Sequence, residues 1–140
     1  MNRIFSLMFV LTAVAFACSL NPGGTSSATD TPVPTGTALV GGWQAVDIVD
    51  GSSMTLTVEA DAAGNLTFKL FDDGATACGG TPLYAFDSSG HVIALSATEF
   101  SFDGAGKCAV TEQEVSYTIN MTYDPATDTL IESSGQSWTR

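Results

Sequence analysis

The chain has 140 residues, enough for one domain with additional segments, and 44% of them are hydrophobic, enough for a buried core. Its formal net charge is −11 at pH 7. Such a charge repels phosphate backbones and anionic lipid surfaces, which argues against nucleic acid as a partner and against electrostatic attachment to a membrane.

Residues 1–17 have the pattern of a signal peptide. Asn2 and Arg3 form a short positive region, and the apolar stretch Ile4 to Ala15 that follows is about a dozen residues long, shorter than the roughly 20 that span a bilayer. Loss of this segment leaves three basic residues against all 15 acidic ones, a net charge of 3 − 15 = −12. Residues 19–38 are rich in Gly, Ser, Thr and Pro without apolar periodicity, so we expect a disordered tether over 18–38.

Cys18 follows the apolar stretch directly and is preceded by Ala15, Phe16 and Ala17. This arrangement resembles the lipobox of bacterial lipoproteins, in which a small residue precedes a cysteine that is diacylated and becomes the mature N-terminus. The resemblance implies an acylated Cys18 that anchors an exported domain in a membrane of the cell envelope, facing the periplasm or the extracellular space. The same residues also fit the small-x-small rule of ordinary signal peptidase, which would leave Cys18 as an exposed free thiol.

Two further cysteines, Cys78 and Cys108, lie in the folded part. In an oxidising compartment we expect them to form a disulfide, closing a loop of about 30 residues and contributing roughly 3–4 kcal/mol. A metal site and a redox pair are the alternatives. A metal site needs more ligands than two cysteines and the lone His91, and a redox pair usually shows C-x-x-C.

Strand signals dominate the domain predicted over residues 39–140, and no helical periodicity of useful length occurs there. The pattern predicts eight to ten short strands. The first predicted strand is 43–48. The strands 54–58 and 66–71 form a predicted hairpin, whose second strand ends at Asp72-Asp73-Gly74. We then expect two hairpins, around the turns 88–90 and 103–106, and three further strands at 115–123, 129–132 and 137–140.

Clean alternation gives each of these strands one buried and one exposed face. Sequential hairpins favour an antiparallel meander, and a long meander removes its two exposed edges by closing into a barrel. The predicted fold class is therefore all-β, an antiparallel meander closing into a small barrel, with a two-sheet β-sandwich as the alternative. Because strands of about six residues make a shallow barrel, we expect aromatic side chains to fill or nearly fill its interior.

Gly41-Gly42-Trp43 opens the first predicted strand and resembles the G-x-W that opens lipocalin-like (calycin) barrels. In that superfamily the tryptophan packs across the barrel base near an arginine from a late strand. The resemblance implies structural roles for Trp43 and Arg140, and we expect a structural role for Trp138 as well, which precedes Arg140 by two residues. The stretches DDGATACGG and YDPATDTLIESSGQSWTR also resemble small domains of unknown function in predicted bacterial secreted lipoproteins, which implies no activity.

No residue pattern points to catalysis, since the single histidine follows a glycine turn and no G-x-S-x-G is present. Carboxylates at predicted turns are candidate calcium ligands, although no EF-hand loop occurs; they are Asp47, Asp50, Asp72 and Asp73. We expect no cofactor.

The expected function is a non-catalytic module that binds a ligand or interacts with an envelope protein. The alternatives are a lipocalin-type carrier of a small hydrophobic ligand and a secreted protein with a calcium-binding loop face. The volume of any interior cavity distinguishes a ligand-binding module from a barrel with a filled core, because binding sites for drug-sized ligands have volumes of roughly 300 Å³ or more.

Overall fold

The computed structural model describes residues 36–79 and 83–140, which form eight antiparallel strands. The strands are β1 (Gly41–Val46), β2 (Ser53–Ala60), β3 (Leu66–Ala75), β4 (Tyr84–Ala94), β5 (Glu99–Cys108), β6 (Glu114–Asp124), β7 (Thr129–Glu132) and β8 (Ser137–Thr139). Each strand pairs with the next, and β8 pairs with β1 through Gln44 and Thr139. The predicted meander barrel is therefore confirmed, and the sandwich alternative is wrong.

Alternating burial along the strands explains why the sheet closes around one core. On β2 the side chains of Met54, Leu56 and Val58 are buried, whereas the threonines between them are exposed. Inside the barrel, Phe68 of β3 packs edge-on against Phe102 of β5, with ring centroids 5.3 Å apart. Burial of these apolar faces supplies the main stabilising free energy of such a fold.

The barrel has two different ends. We call the end where the described chain enters, before β1, the closed end; the β2–β3, β4–β5 and β6–β7 connections lie there as well. We call the opposite end the mouth, and it carries the β1–β2, β3–β4, β5–β6 and β7–β8 connections. Within residues 36–79 and 83–140, no helix has the length and apolar character needed to cross a membrane.

Two predicted turns are wrong. Residues 88–90 lie inside β4, an 11-residue strand, and residues 103–106 lie inside β5, a 10-residue strand. These segments pair with each other, and Gly90 lies opposite Gly104. A β-carbon on Gly90 would lie 2.0 Å from the backbone oxygen of Asp103. The glycine therefore permits a close approach of two paired strands and does not form a turn.

Gly90→Ala is expected to lower the free energy of unfolding by about 1–3 kcal/mol, because the added methyl group meets backbone that cannot rotate away. Gly42→Ala in β1 is the control, since its β-carbon would meet nothing within 4 Å. We expect the control to change stability by less than about 0.5 kcal/mol. Urea denaturation followed by circular dichroism measures both variants, and equal midpoints would show that the β4–β5 approach tolerates a side chain.

Strand β3 also runs further than predicted. Asp72 pairs with Met54 of β2 and with Phe86 of β4, so the strand continues to Ala75 with an irregularity in its register. Asp72 is buried inside the barrel and Asp73 is exposed on its outer face. The Asp-Asp-Gly sequence, a turn signal in isolation, here belongs to a strand in which Asp72 is paired on both sides and the register with β4 shifts between Asp72 and Ala75.

Candidate functional site

The chain that enters the barrel covers its closed end. A short 3₁₀ turn, Thr37–Leu39, precedes β1, and the Leu39 side chain is fully buried. The indole Nε1–H of Trp43 donates to the backbone oxygen of Leu39 at 2.9 Å. Thr37 and Ala38, predicted to belong to the tether, are therefore part of the turn that covers the barrel base.

Arg140 completes this closed end. Its Cζ lies 4.2 Å from the centroid of the Trp43 ring. The guanidinium donates to the backbone oxygen of Val40 at 3.1 Å and to that of Ala38, and it forms a 3.2 Å ion pair with Asp128. The structure thus places two of the predicted structural residues, Trp43 and Arg140, in one cluster whose contacts are all within the base.

The mouth, in contrast, leads into a cavity of about 290 Å³. Five strands supply its apolar walls, through Met54, Leu70, Phe86, Ile119 and Trp138. Trp138 therefore lies at the cavity, away from the cluster of the closed end. The interior is not filled here, contrary to expectation, because β3 to β6 have 10 or 11 residues and make a deeper barrel than strands of about six would.

Besides Asp47 at the rim, two carboxylates on the strands face this apolar cavity. Asp72 is only 5% exposed, and its Oδ1 accepts a hydrogen bond from the backbone N–H of Gly74 at 3.0 Å. No hydrogen bond from any other described residue reaches the second oxygen of Asp72. Glu132 accepts from the indole Nε1–H of Trp138 at 2.8 Å and from the Ser134 hydroxyl at 3.0 Å.

A phenol completes the polar part of the wall. The Tyr117 hydroxyl lies 2.6 Å from the Ser88 hydroxyl, which in turn donates to the backbone oxygen of Leu70 at 3.3 Å. Burial raises the pKa of Tyr117; the hydrogen bond with Ser88 opposes this shift, and the negative charge of Glu132 adds to it. The phenol therefore stays neutral at physiological pH. Because Ser88 donates its proton to Leu70, the Tyr117 hydroxyl donates to Ser88 and can accept a further hydrogen bond.

The rim of the mouth presents apolar side chains on an ordered turn. Ile48 and Val49 are 63% and 76% exposed. The Asp47 carboxylate accepts from the Val49 N–H at 2.6 Å, and the Gln136 side chain accepts from the Ile48 N–H at 3.0 Å, which joins the β1–β2 loop to the β7–β8 loop. Asp50 similarly accepts from the Ser52 N–H at 2.9 Å. The rim is thus held by hydrogen bonds on both sides of the β1–β8 pairing that closes the barrel.

The four candidate calcium ligands do not converge. Asp47 and Asp50 cap the rim turn, Asp73 accepts from the Ser53 N–H at 2.7 Å on the outer face, and Asp72 faces the cavity. Among the residues that the structure describes, no group of three or more His, Cys, Asp or Glu side chains could hold a metal ion. Their roles in the fold are those of turn and strand acceptors.

A disulfide joins Cys78 to Cys108, as predicted, with Cα atoms 5.5 Å apart. It connects the 3₁₀ turn Thr76–Cys78, which follows β3, to the last residue of β5 at the mouth. Both cysteines are buried. Cys18 lies outside the described residues, so its acylation stays a prediction.

The interior carboxylates were not predicted as a binding site, although the sequence contains a signal for both. Asp72 continues the every-second-residue pattern of Leu66, Phe68 and Leu70, and Glu132 stands two residues after the buried Leu130. If the alternation of buried and exposed residues had been continued through the acidic residue at the end of each strand, both carboxylates would have been placed inside the barrel. Their common cavity depends on pairing between distant strands, for which no local signal exists.

No family model matches this chain, and neither curated proteins nor solved structures give a significant match.

Proposed function

We propose that this chain is an exported, lipid-anchored binding module that holds a small, largely apolar ligand in the cavity at the barrel mouth. The observation that carries the proposal is the cavity of about 290 Å³, whose apolar walls are interrupted by Asp72, Tyr117 and Glu132. Concave, mostly apolar sites with a few placed polar groups are typical of small-molecule binding, and this volume lies near their lower limit of roughly 300 Å³.

The surroundings of the cavity support ligand entry from one side. Leu39 and Trp43 cover the closed end, so the mouth is the route to the interior. The exposed side chains of Ile48 and Val49 at the rim provide apolar surface on which such a ligand can first settle. We infer binding without catalysis. Tyr117 bonds to Ser88, and Glu132 bonds to Trp138 and Ser134, so these contacts hold the polar side chains of the wall in place.

Acylation of Cys18 is the second part of the proposal. The described chain begins at the closed end, where a β-carbon on Gly36 would lie 2.4 Å from Leu66 at the start of β3. A tether from Cys18 would therefore reach the barrel at the end opposite the mouth, leaving the mouth free to face away from the membrane. The buried disulfide supports export, because such bonds persist in oxidising compartments.

Titration with the neutral two-ring alcohol 2-naphthylmethanol tests the binding site, using residues 18–140 with Cys18→Ser to avoid detergent. The chain has two tryptophans, so its ¹H–¹⁵N spectrum contains two indole signals. We expect the Trp138 signal to shift and saturate, because Trp138 lines the cavity, and the Trp43 signal to stay in place, because Trp43 lies at the closed end.

A variant that obstructs the mouth supplies the control. Ala77→Trp places a large ring on an exposed rim residue, whereas Ala63→Trp makes the same change in the exposed β2–β3 turn at the closed end. We expect Ala77→Trp to weaken binding at least about tenfold by steric exclusion, and Ala63→Trp to leave it unchanged. Absence of a saturable Trp138 shift at millimolar alcohol would contradict the binding of neutral apolar ligands in this cavity.

Intact mass of protein extracted from the membrane fraction tests the anchor. We expect the mass of residues 18–140 plus acyl groups, increased by about two hydrogens after reduction of the Cys78–Cys108 bond. An unmodified chain beginning at Cys18 and released into the medium would contradict the anchor, and would leave the cavity proposal intact.

A further inference from the structure

We propose that the ligand is a small organic cation: a ring-bearing or otherwise apolar amine whose ammonium group binds the Asp72 carboxylate in the cavity that Glu132 also lines. This inference rests on the proposed function of the cavity and names the chemical class that the cavity selects.

The first observation is the burial and the hydrogen bonding of the Asp72 carboxylate. It is 95% buried, it lines the cavity, and one of its two oxygens accepts a hydrogen bond from Gly74. No donor from residues 36–79 or 83–140 reaches the other oxygen. This oxygen is not among the fully buried side-chain atoms without a partner, so it is accessible from the cavity, where an N–H donor on a bound ligand would complete the hydrogen bonding of the carboxylate.

The second observation is the charge around the cavity. Its lining contains Asp47, Asp72 and Glu132, and no lysine or arginine among the described residues. The basic side chains of the barrel lie elsewhere. Lys69 is exposed on the outside of β3, Lys107 pairs with Glu114 at 3.4 Å, and Arg140 lies at the closed end.

This distribution separates ligands by charge. An anionic ligand such as a fatty acid would enter beside three carboxylates with no positive side chain to balance it. A cation would enter along the favourable potential of a chain whose formal net charge is −11. Placing an anion beside carboxylates away from bulk water costs free energy, whereas placing a cation there is favourable. The cavity therefore favours amines over acids.

The third observation is the aromatic wall. Phe86, Tyr117 and Trp138 line the same cavity, and the Phe86 and Tyr117 rings pack with centroids 5.9 Å apart. Aromatic faces attract organic cations and bury their hydrocarbon parts. A cavity of about 290 Å³ with apolar walls fits an organic amine; a bare metal ion would need a cluster of ligands that the described residues do not supply.

Three ligands with one skeleton and different charges test the inference: 2-naphthylmethylamine, 2-naphthylmethanol and 2-naphthoate. Isothermal titration calorimetry at pH 7 on the Cys18→Ser chain measures each Kd. We expect the amine to bind at least about tenfold more tightly than the alcohol, because only the amine gains the charge-assisted bond, and the carboxylate to bind most weakly.

Adjacent residues on opposite faces of β3 provide matched variants. Asp72→Asn removes the interior charge but keeps an oxygen for the Gly74 N–H, and Asp73→Asn makes the same change on the outer face, where it keeps an oxygen for Ser53. We expect Asp72→Asn to weaken amine binding at least about tenfold and alcohol binding by less than about twofold, and Asp73→Asn to alter neither. Glu132→Gln is a second interior variant, which retains an acceptor for Trp138.

The outcomes distinguish this inference from the proposed function. Alcohol binding as tight as amine binding, or amine binding unaffected by Asp72→Asn, would overturn the cation inference while the cavity remained a binding site. Failure of all three ligands to bind would overturn both. Tightest binding of 2-naphthoate would reverse the charge selectivity and assign the cavity to organic anions.

Discussion

Trp43→Ala is expected to lower the free energy of unfolding by about 3–5 kcal/mol, the range found when buried large aromatic side chains are truncated. The Trp43 ring is 1% exposed, meets Tyr123 edge-on with centroids 6.2 Å apart, and donates to the Leu39 backbone oxygen at 2.9 Å. Truncation removes the ring from the core, leaves a cavity, and frees the turn that covers the closed end. Urea denaturation monitored by circular dichroism gives the change in free energy.

Arg140→Ala measures the other member of the same cluster. Arg140 is exposed, so its contacts with the Trp43 ring and with Asp128 are screened by solvent. We expect a decrease of about 1 kcal/mol or less, because exposed cation–π and ion-pair contacts contribute little. If Arg140→Ala were as destabilising as Trp43→Ala, the charged cluster would be the main support of the closed end, contrary to the burial of the ring.

Removal of the disulfide has the second large expected effect. The double variant Cys78→Ala/Cys108→Ala is expected to lose about 3–4 kcal/mol, because the bond closes a 30-residue separation and restricts the unfolded chain. Both sulfurs lie in a buried environment, so alanine leaves no unpaired polar group there. The wild-type chain unfolded in the presence of a thiol reductant should show a similar loss.

The same variant should also loosen the mouth. The 3₁₀ turn that contains Cys78 supplies Thr76 and Ala77 to the cavity lining, and the disulfide holds this turn to the end of β5. Amide hydrogen exchange should accelerate at Gly79, whose N–H donates to the Thr76 backbone oxygen at 3.1 Å, and remain slow at Leu56 in the core. Unchanged stability together with unchanged exchange would mean that strand pairing alone positions the mouth.

Local sequence patterns were informative where one strand face is buried and the other exposed. The alternation of Met54, Leu56 and Val58 predicted β2, and that of Leu66, Phe68 and Leu70 predicted most of β3. A period of two residues is a property of the strand itself, so it can be recognised without knowledge of the partner strand.

Glycine-containing segments were misinterpreted because the same residues suit two structures. Residues 88–90 and 103–106 have the composition of turns, and in the barrel they lie in the middle of β4 and β5. Gly90 is required there by the approach of Asp103 from the next strand. Whether a glycine forms a turn or admits a neighbouring backbone is decided by the pairing partner, which lies outside any local window.

The candidate site shows the same limit. Asp72, Tyr117 and Glu132 come from β3, β6 and β7, and nothing in their separate surroundings indicates that they share a cavity. The sequence by itself determined the all-β class, the antiparallel strands outside β4 and β5, and the pairing of Cys78 with Cys108, since these follow from local periodicity and from the position of these two cysteines in the folded part. Only the tertiary structure decided that the closed end is filled and the mouth open, because the space inside a barrel depends on strand length and register, and on side chains that distant strands bring together.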